Sequence, residues 1–123
     1  MVVLLIEPGK RPRKAEIDSS LEGMQQVVGG YIQAIYSFAD PVALICNEEG
    51  KMMSLPLNRA LRDEDGDIYD IVAGTFFLCG APPDRDSFTG LGEAYLEKYS
   101  KQFQRPEVFL TLGGRIVCFP LDD

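Results

Sequence analysis

The residues with the most chemical potential are Asn58 and Arg59, which sit inside the otherwise apolar stretch Leu55-Pro56-Leu57-Asn58-Arg59-Ala60-Leu61. An amide and a guanidinium next to a core are tolerated only when hydrogen-bonded. A guanidinium can grip a carboxylate or phosphate through paired N–H donors. A desolvated carboxylate such as Asp70 could work beside it as a general acid or base. Asn58, Arg59 and Asp70 are therefore the candidate binding residues. The structural alternative is that Asn58 and Arg59 tie a loop to backbone carbonyls or to Asp70. No residue is assigned a catalytic role.

Two charge clusters come next. Lys10, Arg11, Arg13 and Lys14 form the one dense basic patch, a possible phosphate contact. No aromatic residue is interleaved to stack bases, as single-strand binders require, so a solvated hairpin tip is the simpler reading. Asp63, Glu64, Asp65, Asp67 and Asp70 invite a calcium reading. The spacing fails: with Gly66 in the glycine slot of an EF-hand loop, Leu61 and Val72 fall where ligands are needed. A solvated turn is expected and no metal site is assigned. Gly74–Gly80 lacks the Lys-Ser/Thr of a phosphate-binding loop, and Gly90-Leu91-Gly92 lacks the third glycine of a dinucleotide fingerprint.

What is missing narrows the chemistry further. The 123 residues include no histidine. Ser-His-Asp triads, Cys-His dyads and imidazole acid–base steps are excluded together. Cys46, Cys79 and Cys118 are odd in number, lack CxxC spacing and lie in or at the end of apolar runs, so buried reduced thiols are expected. No cofactor is implied. Nineteen acidic against twelve basic residues leave a net charge of −7, which disfavours general nucleic-acid binding and suits a partner with a basic surface.

The elements that must position these groups alternate between short strands and two helices. Val2–Ile6 and Val42–Cys46 are continuously apolar, as strands covered on both faces are. Arg13–Ile17 is expected to pair back on the first strand after the Pro8-Gly9 turn. Ser19-Ser20-Leu21-Glu22 has the form of a capping box, and Gly29-Gly30 ends the helix it opens. Ile32, Ala34, Tyr36 and Phe38 alternate as in a strand. Lys51–Leu55 is read as a return strand after a hairpin loop, and Pro56–Leu61 as a turn or single helical turn. Ile68–Val72 fits either a helical turn or a short strand, and Thr75–Cys79 is a strand. Phe88, Leu91, Tyr95, Tyr99 and Phe103 recur at spacings of three and four, with Ser87 as the expected cap. Val108–Leu112 and Arg115–Phe119, joined by Gly113-Gly114, read as a closing hairpin.

These elements predict a single α+β domain over residues 1–123. Its sheet should be mixed or largely antiparallel, curled, with six to seven short strands, and its helices should lie near 19–28 and 87–103. The run Val2–Ile6 is too short and lacks the basic lead-in of a signal peptide. No apolar run is long enough for a membrane helix, and a cytoplasmic location is expected.

In Val28-Gly29-Gly30-Tyr31-Ile32, Cys46-Asn47-Glu48-Glu49-Gly50-Lys51, Leu55-Pro56-Leu57-Asn58-Arg59 and Gly74-Thr75-Phe76-Phe77, the chain resembles the Domain of Unknown Function 3846 family. The resemblance runs to about Leu112, and the Gly113–Asp123 tail departs from it. It implies a context, small proteins of phages and of mobile elements in Gram-positive gut bacteria. It implies no activity or catalytic residue. The function expected is a non-enzymatic binding or interaction module of a phage or conjugative element, monomeric or homodimeric. The alternatives are a nucleic-acid accessory protein using Lys10–Lys14 and an enzyme built on Asn58, Arg59 and a carboxylate.

Overall fold

The computed structural model describes residues 1–121. Strand β1 (Val2–Ile6) turns into β2 (Arg13–Glu16), and helix α1 (Leu21–Val28) leads to β3 (Ile32–Ile35) and β4 (Val42–Asn47). Strands β5 (Leu57–Arg62) and β6 (Ile68–Ala73) form a separate ribbon. Strand β7 (Phe76–Gly80), helix α2 (Glu93–Gln102) and a last ribbon, β8 (Glu107–Leu112) with β9 (Arg115–Pro120), complete the fold. The main sheet has the order β2-β1-β7-β4-β3, antiparallel throughout. The fold is α+β with open sheets, and the nine strands among the described residues exceed the six to seven expected.

Alternation along the central strands explains the layering. Leu4, Ile6, Val42, Leu44, Phe76 and Leu78 point to one face, where Leu96, Tyr99 and Phe103 of α2 and Leu61 and Val72 of the β5–β6 ribbon cover them. Val3, Leu5, Ala43, Ile45, Phe77 and Cys79 point to the other face, covered by Met24 and Val28 of α1. Strand β7 is wholly buried because β1 and β4 flank it and both faces are covered. That is why its sequence is a continuous apolar run.

Several boundaries differ from expectation. The cap of α1 is Ser20, whose Oγ accepts from Gly23 N, so the cap lies one residue beyond the Ser19 of the expected box. Gly29 closes that helix at φ 81°, a conformation glycine adopts without the steric cost of a Cβ. Helix α2 starts at Glu93, not near Ser87. Thr89 instead forms a β-bridge with Gly80, which ties this segment to the end of β7, and residues 83–87 before it run through turns and bends. Phe88 then packs with the α1 layer, while Leu91 packs with α2. Residues 51–54 form turns rather than a return strand, because both edges of β4 are already taken by β3 and β7. Pro56–Leu61 contributes to β5, not to a helical turn, and Ile68–Ala73 resolves as its partner.

Candidate functional site

The β5–β6 pairing shifts register between Leu57 and Arg59. A strand normally sends neighbouring side chains to opposite faces, and a bulge of this kind breaks the alternation. Asn58 and Arg59 are consequently both buried, at 0% and 2% exposure. Asn58 Nδ2 donates to the carbonyls of Ile6 (2.9 Å) and Gly74 (2.8 Å). Arg59 donates from Nε and Nη2 to Phe103 O, from Nη2 to Lys10 O, and from Nη1 to the backbone and side-chain oxygens of Asn58. Those five bonds match the five N–H groups a guanidinium owns. Burial lowers the Arg59 pKa, and the charge of Glu107 opposes that shift. Four of the five bonds go to backbone carbonyls, so this pair braces the fold: it joins β1, the loop after it, β5 and the end of α2.

Asp70 does not join them. Its Oδ1 takes Lys51 Nζ at 2.6 Å and the amide of Ile71 at 2.8 Å. Beside this ion pair, Leu55, Leu57, Ile68, Tyr69, Ile71 and Ile116 line a shallow cavity of about 660 Å³. The basic loop is largely matched by carboxylates. Lys10 and Arg13 pair with Glu7, and Lys14 with Glu93. Arg11 is exposed and engaged as well. Asp63, Asp65 and Asp67 do bring carboxylate oxygens within 4.8 Å of one another at the surface. Asp63 Oδ1 meanwhile accepts the amides of Asp65 and Asp67, which is the expected turn.

A further cavity, of about 620 Å³, opens where α1 ends and the loop after β4 returns. Asn47 organises it. Its Nδ2 donates to Val28 O at 3.1 Å, and its Oδ1 accepts Glu49 N at 2.8 Å. The Tyr31 carbonyl accepts Glu48 N at 2.8 Å. A Cβ on Gly30 would lie 2.9 Å from Asn47 Nδ2, so the helix end can approach the loop this closely only through glycine. The walls carry Glu22 and Glu49, the exposed ring of Tyr31, the thioether of Met53 and the amides of Gln25 and Gln26. No lysine or arginine lines it. Sequence reasoning did not single out Tyr31, Asn47, Glu49 or Met53 as site residues. The available signal was a tyrosine directly after Gly-Gly and an adjacent methionine pair in a polar loop.

The two layered helices, the five-stranded antiparallel sheet and the absence of histidine define a small α+β protein in which no described residues assemble a recognised catalytic centre. A family model described as Domain of unknown function (DUF3846) matches residues 1–104, and the chain belongs to that family. The β8–β9 ribbon lies beyond the matched residues. Neither the curated proteins nor the solved structures provide a match. No helix among the described residues is long and apolar enough to cross a membrane.

Proposed function

We propose that the protein is a non-enzymatic interaction module that docks a basic segment of a protein partner in the cavity beside Tyr31. The observation that carries this reading is the lining itself: two carboxylates, an exposed aromatic ring and a thioether, with no competing cation. An arginine or lysine side chain entering there would meet Glu22 and Glu49 and lie against the Tyr31 ring. Such a cation–π contact contributes about 0.5–2 kcal/mol. Met53 is flexible enough to fit more than one partner side chain. The net charge of −7 would steer a basic partner toward the protein. The proposed setting of such a module, implied only by the resemblance read from the sequence, is a phage or conjugative element acting in a bacterial cytoplasm.

The arrangement of the other candidates supports a binding module over an enzyme. The guanidinium of Arg59 is committed to internal oxygens, and Asp70 is committed to Lys51. Titrating an octa-arginine peptide into the isotope-labelled protein tests the proposal. Amide and side-chain signals of Tyr31, Glu49 and Met53 should shift, and Glu49→Lys with Tyr31→Ala should weaken binding at least tenfold. Shifts confined to other acidic surfaces, or binding unchanged in that double variant, would sink it.

A further inference from the structure

We propose that the protein forms a homodimer by stacking the outer faces of two β8–β9 ribbons across a two-fold axis. The pairing register places Val108 opposite Phe119, Leu110 opposite Val117 and Leu112 opposite Arg115. Opposed residues share a face, so one side of the ribbon presents Val108, Leu110, Leu112, Val117 and Phe119. The charge on it is a single arginine at the turn end. The other side carries Glu107 and Cys118, which reach Arg62 of β5 and hold the ribbon to the body. Among the described residues the outer side is open: Val108, Leu110, Leu112 and Phe119 are 38%, 46%, 56% and 48% exposed, and Val117 is half-buried.

A two-stranded ribbon is marginal in water unless a face is covered. This one pairs with no other strand. Its outer face offers on the order of 400 Å² of apolar surface, comparable to the largest patch a monomer usually leaves uncovered. A standard interface buries about 800 Å² per partner, and in homodimers about two-thirds of that is apolar. The ribbon face therefore supplies most of the apolar area of one such interface. A second copy is the occupant that this area fits, and the local charge permits it. Two chains of net charge −7 repel wherever acids meet, and among the described residues this face has no acid. A two-fold operation sets the same apolar side chains against themselves. The assembly is independent of the cavity beside Tyr31.

Sedimentation velocity on the full chain is the test. At about 100 µM, well above the dissociation constants that interfaces of this size commonly reach, the species should have twice the 13.6 kDa monomer mass. Raising salt should tighten it, because screening removes the net repulsion. Leu110→Asp with Leu112→Asp should raise the dissociation constant more than tenfold, while Met52→Asp, at the exposed loop after β4, should leave it unchanged. If the double variant fails to fold, isotope-filtered nuclear Overhauser effects in a mixed labelled and unlabelled wild-type sample decide the matter. They should connect the Leu110 and Leu112 methyls of one copy to the Phe119 ring of the other. A monomeric wild type, a dimer that survives the double variant, or a mixed sample without those contacts would overturn the proposal. So would a face covered only on addition of a different protein.

Discussion

Arg59 donates from Nε (3.2 Å) and Nη2 (3.1 Å) to the carbonyl of Phe103, the C-cap residue of α2. The positive group thus sits where the last carbonyls of a helix are unpaired and the helix dipole is negative. The same guanidinium holds the carbonyl of Lys10, so one side chain locks the loop after β1 to the end of α2.

Replacing Arg59 by lysine should therefore cost stability even though charge is kept. An ammonium has three donors and no planar fork, so at least one of the four acceptors, the two Asn58 oxygens and the carbonyls of Lys10 and Phe103, would lose its partner. The expected loss is about 2–4 kcal/mol, measured as the change in urea unfolding free energy. An unchanged midpoint would show that the bracket is not needed.

Asp40 couples the connection before β4 to α2. Its Oδ2 accepts from Lys98 Nζ and from the Tyr99 hydroxyl, and these hydrogen bonds, Lys98 first, hold its pKa below the ordinary carboxylate value. A carboxylate with a depressed folded pKa stabilises the fold above its unfolded pKa of about 3.9, and that contribution is lost as pH falls through the folded value. The stability gap between wild type and Asp40→Asn should be flat from neutral pH to about pH 5 and close below about pH 4. Thermal melts across that range will show it, and a gap that widens in acid would contradict the assignment.

On the alkaline side the same contact behaves in the opposite sense. Burial, then the bond to Asp40, raises the Tyr99 pKa. The protonated phenol is favoured in the fold, so its contribution is complete below about pH 10 and is lost as pH rises beyond it. Tyr99→Phe should abolish that alkaline loss in pH-dependent unfolding.

The thiols should separate by burial. Cys79 is pushed up to about 12 and Cys46 to about 11, mainly by burial, whereas Cys118 is half-buried on β9. Since the thiolate is the reactive form, a disulfide reagent should modify Cys118 in the native protein. Cys46 and Cys79 should react only on unfolding. Peptide mapping that finds all three labelled at one rate would argue against the packing of β4 and β7.

Gly30→Ala tests the geometry of the cavity beside Tyr31. The added methyl would approach Asn47 Nδ2 within 2.9 Å and push the amide off the Val28 carbonyl. Weaker octa-arginine binding with a loss of about 1–2 kcal/mol in stability is expected. Unchanged binding in a destabilised variant would detach Asn47 from the site.

Much of the fold was legible because burial on two faces writes itself into strands such as Val42–Cys46 and Phe76–Cys79. Local rules also located Gly29 as the end of α1 and Gly113-Gly114 as the ribbon turn. Where the reading went astray, a partner distant in sequence decided the outcome. Lys51–Leu55 is not a strand because β7, which begins only at Phe76, occupies the edge it would have used. Ser87 does not cap α2 because Thr89 is pinned to Gly80.

By itself the sequence determined the layer chemistry: which strands are buried, which loops are charged, and that no imidazole is available. Tertiary structure alone decided the fate of Asn58 and Arg59. Their residue types fit a ligand site or a brace equally well, and what separates the two is where the acceptors are. Those acceptors are carbonyls of Ile6, Lys10, Gly74 and Phe103. Carbonyls are present in every residue and carry no signature in the sequence, so only the folded chain could bring these four to one amide and one guanidinium.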